Sequence, residues 1–135
     1  MRIDVITLFP DVFPGPLAQS IPGRALERGL AELHAHDLRE WGLGRHRSVD
    51  DYPYGGGAGM VLRPEPIAGA LAAVAPPDSG AFRILLDPGG ERFEQPRAQD
   101  LASREHLAFV CPRYEGVDDR VEQHLADEAL SIGEY

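Results

Sequence analysis

The sequence predicts an α/β fold, a mainly parallel sheet with helices on both faces. Three observations carry that reading. Short apolar runs recur at residues 3–8, 82–86 and 107–111, the first of them β-branched and each too short for a helix. Segments with apolar residues at helical spacing lie between them. The runs end in turn-forming residues, as parallel strands do where they hand over to a crossover.

Taken in order, Ile3, Val5, Ile6 and Leu8 form a buried strand that stops at Phe9-Pro10, where proline removes a backbone donor. Phe13-Pro14-Gly15-Pro16 reads as loop. Gly23 to Leu30 reads as a short helix closed by Gly29. A strand over Leu33 to Leu38 follows from alternation, with His34 and His36 on one face. Gly42 to Gly59 lacks periodicity and reads as a long loop, a length that in a compact domain points to function or disorder. Pro64 to Val74 is helical, with Ile67, Ala70, Leu71 and Val74 on one face. Residues 76–80 form a turn, Phe82 to Leu86 a strand, and Gln95 to Ser103 a helix. Leu107 to Cys111 is a strand, Val117 to Ala126 a helix, and Ala129 to Ile132 a last short strand.

At 135 residues the chain is sized for one domain, long enough to need no metal or disulfide to fold. Cys111 is the single cysteine, so an internal disulfide and a multi-cysteine zinc site are excluded. Its place at the end of an apolar strand suits a small core residue. All thirteen basic residues are arginine, and the formal net charge is −9. That balance disfavours indiscriminate polyanion binding, which needs positive charge at the contact. The charge is uneven, however. The C-terminal third is the most acidic, whereas Arg39, Arg45 and Arg47 cluster around His46 in the N-terminal third. A nucleic acid would dock there, although a solvated loop is the ordinary fate of such residues. No apolar run is long enough to span a membrane and no secretory signal is visible, so a cytoplasmic protein is expected.

In open parallel sheets ligands bind at the carboxyl ends of the strands. Three such ends carry small, polar or turn-forming residues: Asp87-Pro88-Gly89-Gly90, Pro112-Arg113-Tyr114-Glu115-Gly116, and Gly133-Glu134-Tyr135. Their convergence is the physical pointer to a site. Arg113, Tyr114 and Glu115 put a guanidinium, a ring and a carboxylate in a row, suited to a polar ligand with an aromatic base. A surface turn with an Arg–Glu pair is the plainer alternative. Tyr54 to Met60 holds four glycines in five positions, which permits positive φ and close backbone approach. Without lysine it is no lysine-type phosphate loop, and it lacks the strand-to-helix context of a dinucleotide fingerprint. A flexible linker is its plainer reading. His34 and His36 have no third ligand within sequence reach, which argues against a metal site.

Seven words in order over the whole chain resemble the N-terminal part of the bacterial tRNA (guanine-37-N1)-methyltransferases: IDVITLFP (3–10), GRA (23–25), RHR (45–47), VDD (49–51), PYGGGAGM (53–60), RYEGVDDR (113–120) and SIGEY (131–135). A ribosomal-RNA methyltransferase of the same fold class fits the topology but not the YGGGAGM and RYEG words. The resemblance implies a trefoil-knotted α/β domain of the SPOUT class, an S-adenosylmethionine donor, a homodimer, and tRNA with guanine at position 37 as partner. It implies neither membrane nor DNA binding.

It also implies residue roles. The donor would be held by Leu86, Asp87, Pro88 and Gly89, by Pro112, Arg113, Tyr114, Glu115 and Gly116, and by Ser131, Ile132, Gly133, Glu134 and Tyr135. Arg24, Arg45, His46, Asp50 and Gly59 would meet the tRNA. Glu115 would assist catalysis electrostatically, with magnesium as a candidate cofactor and no metal ligand assigned. Two departures stand out. Pro112 replaces the usual glycine, and Asp87-Pro88-Gly89-Gly90 replaces a Ser-Pro-Gln-Gly type, adding a negative charge. Residues 1–135 are therefore expected to form a truncated donor-binding domain with an incomplete knot. The tRNA-gripping C-terminal domain and the catalytic base would lie beyond Tyr135, and apolar surface over the last strand would be left exposed. The alternative is an inactive fragment that only binds cofactor or dimerises.

Overall fold

The computed structural model describes residues 1–135. Five strands make one sheet in the order β2-β1-β6-β5-β7, and every neighbouring pair is parallel. They are β1 (Arg2–Thr7), β2 (Glu32–Asp37), β5 (Phe82–Arg92), β6 (His106–Val110) and β7 (Glu128–Ser131). A separate antiparallel pair joins β3 (Asp50–Asp51) to β4 (Val61–Leu62). The helices are α1 (Ser20–Glu27), α2 (Pro64–Val74), α3 (Gln95–Ala102) and α4 (Arg120–His124).

Strand alternation sends successive side chains to opposite faces. Ile6, Leu85, Ala108 and Val110 pack with Ile67, Ala70 and Leu71 of α2 and Val121 of α4. Ile84, Leu107 and Leu130 turn the other way, onto Leu101 of α3. Helices therefore cover both faces, as the alternation of elements predicts. On the α3 side an apolar groove of about 380 Å³ stays open between Met1, Phe93, Phe109 and Ile132.

Most boundaries fall within a residue of the sequence reading, and four segments differ by more. Helix α1 begins at Ser20 rather than Gly23 and ends before Leu30, which is exposed. Gly23 sits buried inside the helix because a Cβ there would stand 2.3 Å from the Ala18 carbonyl oxygen. The residue that looked like a boundary marks a close backbone approach. Helix α4 is shorter than 117–126 because the backbone before it is committed elsewhere. Leu62 N–H donates to Gly116 O (2.9 Å), and Asp118 N–H donates to Leu62 O (3.0 Å). Val117 and Leu125 still pack against the core.

The stretch 42–59 is not a featureless loop. A bridge pairs Leu43 with Ser48, Val49 is buried, and β3 pairs with β4 so that the glycine-rich residues form the connection between them. Two-residue strands leave no periodic signal to read. Finally, β5 does not end at Leu86. Its pairing with β7 resumes at Glu91, so Leu86 and Glu91 both oppose Leu130 and residues 87–90 are pushed out as a bulge.

At the amino edge of the sheet lies a polar cluster. Asp4 is fully buried, and Arg2 Nε donates to it at 2.7 Å. His36 Nε2 lies 2.6 Å from one carboxylate oxygen and His106 Nε2 2.7 Å from the other. Burial pushes the Asp4 carboxyl up, but the hydrogen bonds from Arg2, His36 and His106 outweigh it and hold it at about 2. His36 is thus a partner of a buried carboxylate, while His34 lies 3.4 Å from Glu32 at the surface.

Candidate functional site

The site sits at the opposite, carboxyl edge. A cavity of about 550 Å³ opens where three chain segments meet. The β5 bulge contributes Leu86, Asp87 and Pro88. The segment after β6 contributes Cys111 to Gly116. Leu130, Ile132 and Tyr135 come from β7 and the residues after it. These are the three strand ends singled out in the sequence. The size falls within the roughly 300–1,000 Å³ of small-molecule sites, and the mixed apolar and polar walls match such sites too.

Each segment is shaped by local chemistry. In the bulge, Gly89 N–H donates to Asp87 Oδ1 at 2.7 Å, an Asx-type turn. A Cβ on Gly90 would lie 2.5 Å from the Ala129 carbonyl carbon, so glycine is required where the bulge returns to β7. After β6, Tyr114 and Gly116 both take positive φ, +62° and +109°, which folds the segment back toward β4. Glu115 N–H donates to Met60 O at 3.0 Å. After β7, Ser131 Oγ donates to Gly133 O at 2.8 Å, and Glu134 pairs with Arg92. Gly89, Ser131, Gly133 and Glu134 therefore build the loops without lining the cavity. Cys111 and Leu130 line it and were not expected in the site. The strand-end rule points to loop residues, whereas these two belong to the strand ends themselves.

Burial, foremost, and then the Asp50 carboxylate beside it keep the Tyr114 phenol above its usual value. Desolvation pushes the Cys111 thiol up to about 11, so it is an inert part of the wall. Arg113 forms no ion pair, and its guanidinium lies 5.0 Å from the centre of the Phe9 ring. Arg39 approaches the same ring at 5.8 Å and donates to Leu8 O at 2.7 Å. Arg120 grips Asp118 with two hydrogen bonds of 2.8 Å, and that grip holds the Asp118 carboxyl at about 2. Its guanidinium also stands 5.9 Å from the Tyr54 ring.

Of the residues assigned to tRNA, the structure brings Gly59 against Glu115 and Asp50 beside Tyr114. Arg45 and His46 lie exposed in the turn closed by the Leu43–Ser48 bridge, and Arg24 lies exposed on α1. No hydrogen bond or ion pair ties these three to the cavity. No group of three His, Cys, Asp or Glu side chains gathers as a metal site. No helix is long and apolar enough to cross a membrane.

A parallel sheet with a cavity at its carboxyl edge defines the class: an α/β protein with a site of small-molecule size between its strand-end loops. Comparison with known proteins narrows that class. The family model described as tRNA (Guanine-1)-methyltransferase TrmD matches residues 1–135. A tRNA (guanine-N(1)-)-methyltransferase of Chloroflexus aggregans is 51% identical over 136 residues, covering 100% of this chain and 53% of the relative. Proteins of the same description from Geobacillus kaustophilus and Carboxydothermus hydrogenoformans are 50% and 47% identical, with 55% and 53% of their lengths covered. The chain belongs to the tRNA (Guanine-1)-methyltransferase TrmD family, and with it to the SPOUT class of folds. It spans about half the length of the curated relatives it matches.

Proposed function

We propose that the protein, at the length of its relatives, transfers a methyl group from S-adenosylmethionine to N1 of guanine 37 in the anticodon loop of tRNA. The observation that carries this reading is the coincidence of family membership with one cavity shared by three strand-end loops. The cavity suits the donor in size. Its apolar wall of Leu86, Pro88, Leu130 and Ile132 would take the adenine, and its polar groups would orient the charged arm. When bound, S-adenosylmethionine supplies an electrophilic methyl on a sulfonium. The protein's task is then alignment of that methyl with N1 and exclusion of competing geometries.

The N1 proton needs a base, and charge builds on guanine O6 as it leaves. Arg113, free of any ion pair at the cavity rim, is the cation available to O6. Glu115, held by Gly59 and Met60, is the assisting carboxylate. We assign the base to the part of the protein corresponding to the relatives' unmatched half, as the resemblance implies. Asp50 and Gly59 would face the anticodon bases, with Arg24, Arg45 and His46 reaching the surrounding RNA. Residues 1–135 would form the donor-binding domain and a separate C-terminal domain would grip the tRNA. The assembly would be a cytoplasmic homodimer. Magnesium would find the carboxylates of Asp87 and Glu115 on the cavity wall and no three-ligand cluster, so no step is routed through it.

The test is methyl incorporation by the full-length protein into matched transcripts with guanine or adenine at position 37. Incorporation confined to the guanine transcript supports the reading. A folded protein that methylates neither overturns it. Donor binding without turnover on any transcript would instead favour a cofactor-binding or dimerisation module.

A further inference from the structure

We infer that Asp87 reads the positive charge of the donor's sulfonium and so makes the site prefer the methylated cofactor over its neutral thioether product. The inference rests on the methyl-donor reading above and assigns one residue a role within it.

Asp87 opens the four-residue bulge, where the chain leaves the sheet beside the cavity. Its two carboxylate oxygens have different tasks. Oδ1 accepts the Gly89 N–H at 2.7 Å, which fixes the side-chain rotamer. Oδ2 makes no hydrogen bond and lies beside Gly116, 3.8 Å from where a Cβ on that glycine would stand. Gly116 presents no side chain to that oxygen. No arginine or histidine lies within ion-pair distance of Asp87, although Arg113 lines the same cavity. The other walls near it are Leu86, Pro88 and Ile132. One oxygen of this half-buried carboxylate has no protein partner, which leaves it available to a cation in the cavity. Glu115, also on the cavity, is exposed and packed against Gly59 instead. The charge at position 87 is one that the family resemblance did not supply.

S-adenosylmethionine carries two cationic centres, the sulfonium and the α-ammonium. S-adenosylhomocysteine keeps the ammonium and loses the sulfonium, so the pair of ligands separates the two. A charge contact at the sulfonium changes the affinity ratio, whereas one at the ammonium changes both affinities together. Electrostatics of this kind also weakens with salt.

The experiment is calorimetric titration of the full-length protein and its Asp87→Asn variant with both ligands, at low and high salt. The wild type should bind S-adenosylmethionine more tightly, and Asp87→Asn should lower that preference about tenfold, a typical size for one partly screened charge contact. Affinity for S-adenosylhomocysteine should stay within about twofold, since one lost neutral contact is small on this scale. Salt should erode the preference of the wild type and not that of the variant. If Asp87→Asn unfolds, Asp87→Ser takes its place, because a hydroxyl still accepts the Gly89 N–H. An unchanged ratio, or an equal loss for both ligands, overturns the inference and leaves the methyl-donor reading standing. A wild type that binds neither ligand overturns both.

Discussion

The backbone of Gly59 lies directly under the side chain of Glu115. A Cβ at position 59 would stand 2.5 Å from Glu115 Cγ and 3.1 Å from its Oε1. Gly59 also takes φ +89°, a conformation that side chains rarely adopt. Together with the Glu115 N–H to Met60 O hydrogen bond, this contact joins the end of the glycine-rich connection to the cavity rim. Two segments far apart in sequence thereby set the position of one carboxylate.

Gly59→Ala should therefore displace Glu115 and strain the backbone. The strain alone costs about 1–3 kcal/mol. The methyl-transfer rate of the full-length protein should fall by about tenfold or more, on the scale of losing one well-placed catalytic group. Binding of the donor should change less, since Glu115 forms only part of the wall. Steady-state kinetics beside donor titration would separate these effects, and a variant with wild-type kcat would refute the role given to this contact.

Gly90 poses a second steric constraint. Its missing Cβ is what lets the bulge return to β7, because the nearest atoms are the Ala129 carbonyl group and the Leu130 nitrogen. Gly90→Ala should loosen the β5–β7 pairing at its return point, lower Tm and weaken donor binding together. A loss of about 1–3 kcal/mol is the usual cost of overpacking. Thermal melts and cofactor titration check it. A variant with unaltered Tm would show that the bulge can move aside.

Asp4 governs acid stability. Its carboxyl is held at about 2 in the folded protein against an ordinary value of 3.8. A carboxyl lowered on folding stabilises the native state above its unfolded value. That contribution is lost as pH falls through the window from 3.8 toward about 2. Asp4→Asn should flatten the dependence of Tm on pH within this window, and the difference from wild type isolates Asp4 from Asp118, which titrates there too. Asp4→Ala, which leaves His36, His106 and Arg2 without their acceptor, should cost about 2 kcal/mol near neutral pH. Parallel curves for wild type and Asp4→Asn would refute the assignment.

Much of this was legible from residue patterns. The apolar runs at 82–86 and 107–111 and the face of Ile67, Ala70 and Leu71 mark their elements because burial imposes period 2 on strands and 3.6 on helices. The turn residues after those strands marked the cavity, since parallel topology puts strand ends on one edge. Other features left no local trace. Gly23 looks like a helix boundary until Ala18 is known to press on it, and β3 is too short to show a period.

The order of residues by itself determined the alternating α/β architecture, the sheet edge that carries the site, and the family, because these depend on hydrophobic spacing and on words read along the chain. Tertiary structure alone decided that Asp4 gathers His36 and His106, that residues 87–90 bulge between Leu86 and Glu91, and that Gly59 underlies Glu115. Each of these is a meeting of residues from different elements. Their chemistry comes from distance and burial, which only packing sets.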